Sequence, residues 1–552
     1  MSSSRAENDR SPSSLRSGSS AGTAAESPGD DAQKLATTLK PSWVFAIALG
    51  SAVGWGAFIL PMDWLRDGGT VGALLGFGVG AVLISVIAVS YGMIIRALPV
   101  TGGELAFALQ EFGRHHAYVV GWFLSLAYMC IVALNSTAIA LVCRMLFPSV
   151  MEQVHLYSVA GWGIYLPEVL VAAAAIIGAG ILNARGTALS GRFQFIACMV
   201  LVAAVAVILA AAVIRAATHG FALQPAFPEH GNPLAAIGVM VAFAPWAFVG
   251  FDNVPQAAGE FDFSPKKALG LILAAIGTAA LVYMAMIFST SVAATAAGST
   301  FDGSVWATAD AIDALMGPIG KILMVVAVLM GVATGLNGFT VSSSRILMTM
   351  GRARMLPEAF GRISDRRGTP VVAIAFTTLL CLTAPFFGRS ALMWIVDMTS
   401  VGVTVAYGYT CLAAWKLAHP TRADDDAPDV FGRWRRPTRI VALAGTVLSV
   451  GFLLLLFIPG SPGQLGVPPL IALVVWVILG AVFYLTRHKE LVEAPEEELE
   501  AVVLEVDPEH LEEYLEDAEE GETADESATA HVGEAADEGE VADEGEVASA
   551  RR

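Results

Sequence analysis

Two stretches of this 552-residue chain carry backbone that a membrane helix has no use for. Leu49 to Pro61 holds Gly50, Gly54 and Gly56 within seven residues and a proline five further on, and Phe243 to Asp252 holds Pro245 and Gly250. A helix in hydrocarbon has no water to satisfy its peptide groups, so glycines and prolines at this density predict a break in each stretch. Broken backbone at membrane depth persists only where it is buried in protein or lines a cavity, and its freed N–H and C=O groups can then hold a ligand. In the first stretch the amides of Gly54, Trp55 and Gly56 head the following helical half and carry positive partial charge, which suits a carboxylate. Carbonyls near Ser51 and Ala52, and around Trp246 and Val249 in the second, suit an ammonium group. Together these features make a receptor for a zwitterionic α-amino acid. Asp252 is the one charged side chain in either stretch, which favours cargo with a neutral side chain. An ionisable residue within a span costs about 2.5–3.5 kcal/mol on insertion scales and is a functional candidate by default. Asp252 is therefore the candidate proton carrier, against the alternative of an aspartate that only pairs with a neighbouring helix.

The elements that must position these groups are membrane spans. With 55% hydrophobic and 15% charged residues, the chain is an all-α polytopic membrane protein. Twelve apolar runs fall at roughly 43–62, 71–95, 118–146, 165–184, 190–216, 234–257, 268–296, 319–350, 371–388, 391–417, 438–458 and 467–487. With the N-terminus inside, 25 lysines and arginines fall on cytoplasmic segments, and five, Arg66, Arg144, Arg215, Lys321 and Arg389, fall outside. That asymmetry predicts cytoplasmic termini. The net charge of −18 comes from the end of the chain, where Glu490 to Arg552 holds 25 acids against two arginines and leaves the membrane body mildly basic.

Three pieces are expected beside the membrane. Gly102 to Gly113 reads as a short amphipathic helix on the cytoplasmic surface. Ser304 to Met316 reads as an outer lid helix, with Trp306, Ile312 and Leu315 on one face and Asp310 and Asp313 on the other. Ala418 to Arg439 reads as a charged cytoplasmic loop. The first 40 residues, rich in serine, alanine and charge, read as a disordered tail without an apolar signal region, and the repeated acidic end reads as another. Cys130, Cys143, Cys198, Cys381 and Cys411 stand singly as small core residues, and His115-His116 reads as an exposed loop pair with no metal-ligand spacing. No nucleophile–base set, phosphate loop or metal cluster appears, so an enzyme, a metal centre, a cofactor and a nucleic-acid partner are not expected.

Gly50-Ser51-Ala52-Val53-Gly54-Trp55-Gly56-Ala57-Phe58 resembles the first-helix motif of the amino acid/polyamine/organocation (APC) transporters. Trp246-Ala247-Phe248-Val249-Gly250-Phe251-Asp252 with Glu260 resembles their sixth helix. Gly335-Leu336-Asn337-Gly338 with Ser343-Ser344-Arg345 is similar to the end of their eighth, and Pro99-Val100-Thr101-Gly102-Gly103-Glu104 to their second loop. The resemblance spans about residues 40–487. It implies a LeuT-like fold: twelve transmembrane helices, two inverted five-helix repeats (41–217 and 218–418) plus two further helices (419–489), and tails at 1–40 and 490–552. Helices 1 and 6 are expected to be discontinuous. The resemblance places substrate at Ala52, Val53, Gly54, Trp55 and Gly56, and at Trp246, Ala247, Phe248, Val249 and Gly250, next to Ser51, which the freed carbonyls already make a candidate. By similarity to the arginine/agmatine exchanger, Trp246 closes over the substrate and Asp252 takes part in proton-sensitive gating. Asn135 and Asn337 are candidates for substrate contact, against the alternative of interhelical hydrogen bonding. Arg345, Arg352 and Arg354 read as positive-inside anchors.

Two departures matter. Trp55 stands where the family usually has a small or hydroxylated residue, and Leu201 stands where some proton-coupled relatives place a lysine seven residues after a glutamine, here Gln194. The expected function is secondary transport of neutral amino acids across the plasma membrane by alternating access, proton-coupled or by exchange. The alternatives are an amino-acid sensor reading out through the acidic tail and a polyamine or amine transporter. The expected partners are the amino acid, the lipid bilayer, protons and a second copy in a homodimer.

Overall fold

The computed structural model describes residues 37–159, 161–221, 225–228, 232–364, 366–388, 390–419, 435–461 and 464–495, with 499, 501 and 503. Most of the two tails and of the charged loop lies outside the described residues. Helix α1 (Pro41–Ala52) opens on a proline, whose missing N–H is one a helix leaves unpaired anyway, and stops inside the first glycine-rich stretch. Val53 to Trp55 leave the helix, and α2 (Gly56–Ile59) and α3 (Pro61–Ala97) carry on. Within α3, Gly69 at φ 68° turns the chain and separates the outer part of the first crossing from the second. A Cβ there would lie 2.5 Å from Phe227 Cα, so only glycine lets the two backbones meet.

The chain continues through α4 (Gly103–Phe112), α5 (Arg114–Leu146), α6 (Pro148–Met151), a hairpin of β1 (His155–Val159) and β2 (Trp162–Tyr165), α7 (Leu166–Ala184) and α8 (Thr187–His219). The expected sixth span comes in three pieces, α9 (Pro233–Ala242), α10 (Ala244–Phe248) and α11 (Asn253–Gln256). Then follow α12 (Ala268–Ala297), α13 (Ala307–Met316), α14 (Pro318–Arg352), α15 (Val371–Cys381), α16 (Ser390–Leu417), α17 (Arg435–Phe457) and α18 (Val467–Glu493). Eight of the described helices are long and apolar enough to cross a membrane, and α1, α9 and 371–387 are shorter apolar helices.

The packing is that of a protein solvated by lipid. Along α17, Ile440, Leu443, Val447, Val450 and Leu454 are exposed at spacings of three and four, while Ala442, Gly445, Ser449 and Phe452 face inward. The helix is apolar outward and small or aromatic inward, the pattern expected where the outer solvent is hydrocarbon and small residues allow close helix approach.

Four expectations change. The all-α reading gains a two-stranded antiparallel hairpin, β1 with β2, held by Arg144. The Arg144 guanidinium donates to Glu152 at 2.9 Å, Glu168 at 3.2 Å and the Gly163 carbonyl at 3.1 Å, and lies over the rings of Trp162 and Tyr165. Helix α4 is not a surface helix: Glu104 and Leu105 to Leu109 are all buried. Arg345 is not a surface anchor but a buried partner of Glu260. The histidine pair heads α5, where His115 bonds Tyr484 Oη at 2.6 Å and His116 bonds Tyr409 Oη at 2.9 Å. Beside them Arg114 donates to the Leu491, Val492 and Ala494 carbonyls at 2.5, 3.1 and 2.8 Å, capping the end of α18.

Candidate functional site

The two breaks meet backbone against backbone. Gly250 adopts φ 131°, and a Cβ on it would lie 2.5 Å from the Ala52 nitrogen, so the contact exists only with glycine there. Tyr283 of α12 ties the two together, its hydroxyl 2.9 Å from the Ala52 carbonyl and 3.0 Å from that of Ala247. Its single proton is shared between one carbonyl of each break.

The first break leaves fewer free amides than the sequence suggests. The Gly54 N–H turns onto the Ala52 carbonyl at 3.2 Å, which leaves Trp55 and Gly56 at the head of α2, where a helix has amides without intrahelical acceptors. Trp246 packs above them: a Cβ on Gly56 would lie 2.4 Å from the Trp246 ring, and the Trp55 and Trp246 rings meet edge to face with centroids 6.1 Å apart. Val53, Ala247, Phe248 and Val249 are buried. Helix α13 covers α2: Trp306, just before it, donates its indole N–H to the Phe58 carbonyl at 3.0 Å, and the Thr308 hydroxyl donates to the Ile59 carbonyl at 3.0 Å.

Buried side-chain polar atoms gather here without partners in the protein: Ser51 Oγ, Trp55 Nε1, Asn135 Oδ1 and both polar atoms of the Asn253 amide. Asn135, anchored through its Nδ2 to the Ile131 carbonyl at 2.9 Å, aims its oxygen at the first break, 3.7 Å from where a Gly54 Cβ would stand. Asn337 sits elsewhere. It donates to Gln194 Oε1 at 2.9 Å and accepts from Ser190 at 2.8 Å and Asn183 at 3.1 Å, in a neutral network joining α7, α8 and α14. Gln194 extends that network to the Ala46 carbonyl of α1 at 3.3 Å, and Leu201 is a fully buried apolar residue.

Asp252 is fully buried just past the second break. Its Oδ1 accepts from the Gly250 N–H at 2.6 Å and its Oδ2 from Tyr128 Oη at 3.1 Å. Tyr91, Phe251 and Tyr407 stack edge to face or tilted beside it, with centroids 5.2 to 6.0 Å apart. Glu104 of α4 accepts from the Gln256 amide at the end of α11. Sequence reasoning passed over Tyr283, Tyr128, Asn253 and Gln256. The available signal was a tyrosine in an otherwise apolar span, since a buried hydroxyl ordinarily finds a partner. Among the described residues no group of three or more His, Cys, Asp or Glu side chains is arranged to hold a metal ion.

Known proteins share this architecture. A solved structure of MhsT in complex with L-phenylalanine superposes with a TM-score of 0.53 at 16% identity, covering 76% of this chain and 99% of that one, a likeness of fold. The chain is 24% identical over 467 residues to the branched-chain amino acid permease BcaP of Bacillus subtilis, covering 81% of this chain and 92% of that protein. It is 22% identical over 404 residues to BcaP of Lactococcus lactis, covering 70% and 82%. The sequence profile described as amino acid permease matches residues 39–483. With that match over most of the chain, on a LeuT-like membrane fold whose first and sixth helices come apart at the expected places, the protein belongs to the amino acid permease family, multi-pass membrane carriers of amino acids and not enzymes.

Proposed function

We propose that this permease moves α-amino acids with neutral side chains across the plasma membrane by alternating access, with twelve crossings and both termini in the cytoplasm. One observation carries the reading: Ser51 Oγ, Trp55 Nε1, Asn135 Oδ1 and both polar atoms of Asn253, at the two breaks, have no partner in the protein, and Asp252, the one charged side chain there, is already held by Gly250 and Tyr128. Such a site offers hydrogen bonds and helix-end partial charge to a zwitterion and no counter-charge to an ionised side chain. The names of two relatives, branched-chain amino acid permeases, support neutral cargo, while others are named for histidine and for cationic amino acids. A helix bundle rocks against a scaffold, and Trp246 closes the path above the seat.

Proton coupling runs through Asp252. A carboxyl enclosed by Tyr128, Tyr91 and Tyr407 exchanges its proton only when the closure around it opens, which links protonation to the transport cycle. The test is counterflow in liposomes with a panel of labelled amino acids and amines, with and without a pH gradient. Uptake of neutral amino acids, abolished by Gly54→Val and by Trp246→Ala with the fold intact, is the expected result. Unchanged uptake in both variants removes the site, and an Asp252→Asn carrier that keeps the wild-type pH dependence removes the proton route.

A further inference from the structure

We infer that the protein binds the acyl chain of a bilayer phospholipid in a cavity between α5, the turn from α15 into α16, and the start of α18. None of the residues lining it belongs to either break, and the inference stands whatever amino acid is carried.

The cavity holds about 250 Å³. Its wall on one side is the middle of α5, from Leu126 to Ala133. The rest comes from the end of α15 with the short 3-10 helix Ala384–Phe387 that follows, and from the first turns of α16 and α18. At 1.5 Å per residue, the middle of a 33-residue helix lies well inside a hydrocarbon layer about 30 Å thick. The mouth opens at Leu380 and Phe387, which line the space and are 38% and 50% exposed. Next to lining residues on the same helices, Leu379, Ile471 and Val475 are exposed as well, so the mouth gives onto an apolar surface and, in the membrane, onto hydrocarbon.

Polar groups in the lining are already engaged. The Thr383 hydroxyl donates to the Leu380 carbonyl at 2.8 Å, the Trp476 indole to the Trp122 carbonyl at 3.2 Å, and the Cys381 thiol to the Met129 carbonyl at 3.4 Å. The rest of the lining is aliphatic, aromatic or sulfur, and among the described residues no charged side chain takes part. Water there lacks the two to four polar partners it needs, so the cavity takes an apolar occupant. A wall with nothing against it forfeits its dispersion contacts, and hydrocarbon restores them without leaving its own solvent. A flexible run of methylenes follows an irregular wall, and the thioethers of Met129 and Met398 adapt to it in turn.

The test is photolabelling in liposomes of phosphatidylcholine that carries a diazirine near the end of one acyl chain, with adducts mapped by mass spectrometry of the digested protein. Wild type is expected to carry adducts on Cys130, Cys381, Trp394 and Trp476 more densely than on Leu443, Val447 and Val450, the exposed face of α17. Ala133→Phe puts a ring into the cavity and is expected to abolish the excess while the α17 adducts stay. Cys130→Phe fills the space from one turn earlier and serves if the first variant fails to fold. Equal label density on the two faces in wild type overturns the site, and so does an excess that survives both variants. A lining that stays unlabelled overturns it as well, and cross-linking of Ile471→Cys between copies would then identify a second copy of the protein as the cover.

Discussion

Arg345 and Glu260 meet at 2.8 Å with side chains 1% and 0% exposed, though 85 residues separate them in the chain. Glu260 follows the second break, and its carbonyl accepts the amides of Thr38 and Leu39 at 3.0 and 2.9 Å, so the pair joins α14, the C-terminal end of the broken sixth helix and the lead-in to α1. A buried pair is a weak stabiliser as a whole, but either half left alone is an uncompensated charge out of water.

Removing one partner is therefore expected to cost about 3–5 kcal/mol, and removing both to cost much less. Thermal unfolding in detergent of Arg345→Met, Glu260→Leu and the double variant measures this. A double variant no more stable than the worse single one contradicts it.

Tyr283→Phe deletes the hydroxyl shared by Ala52 and Ala247 and little else, at a cost on the order of 1–2 kcal/mol. The loss falls on the alignment of the two breaks, so initial uptake is expected to drop roughly tenfold with expression unchanged, reading 1.4 kcal/mol as a factor of ten. Uptake at the wild-type rate would show that the hydroxyl has no part in alignment.

Gly56→Ala places a methyl 2.4 Å from the Trp246 ring. The ring must swing away, so transport is expected to fall sharply, and Gly56→Ala with Trp246→Phe is expected to recover part of it. The comparison is initial uptake rate in liposomes at matched protein content, and a double variant as inactive as Gly56→Ala rules out a collision with the ring.

Glu104 lies outside the spans, and burial, with Asp252 adding to it, pushes its carboxyl well above the usual carboxylate range. The folded state then holds this proton to higher pH than the unfolded chain does. Stability from this group is full below the ordinary carboxylate range and declines as pH rises through the raised value. Glu104→Gln removes the decline, so its unfolding temperature is expected to gain on wild type as pH rises. A gap that shrinks or stays flat would reverse the assignment.

The breaks were legible because glycine and proline act locally: Gly54 and Gly250 declare themselves within a few residues. Helix α13 was legible for the same reason, through its own periodicity. Arg345 was not, because an arginine near the cytoplasmic end of a span looks like an anchor until a partner far along the chain covers it. Tyr283 was hidden differently, in a span whose other residues speak only for burial, and its role depends on carbonyls that the breaks alone set free. The burial of α4 came from packing against the end of α11 and against α14, where Cβ atoms on Gly103 and Gly102 would strike Pro255 and Thr349, a fit that no amphipathic pattern encodes.

Arg114 fixes the end of α18 to the start of α5 through three carbonyls. The 25 acidic residues from Glu490 onward therefore issue from one address on the molecule, next to the His115, His488 and Tyr484 rings. Screening confines a surface charge to about 8 Å at physiological ionic strength. Charge on Glu490 and Glu493, the acids at the end of α18, therefore acts within that distance of the start of α5.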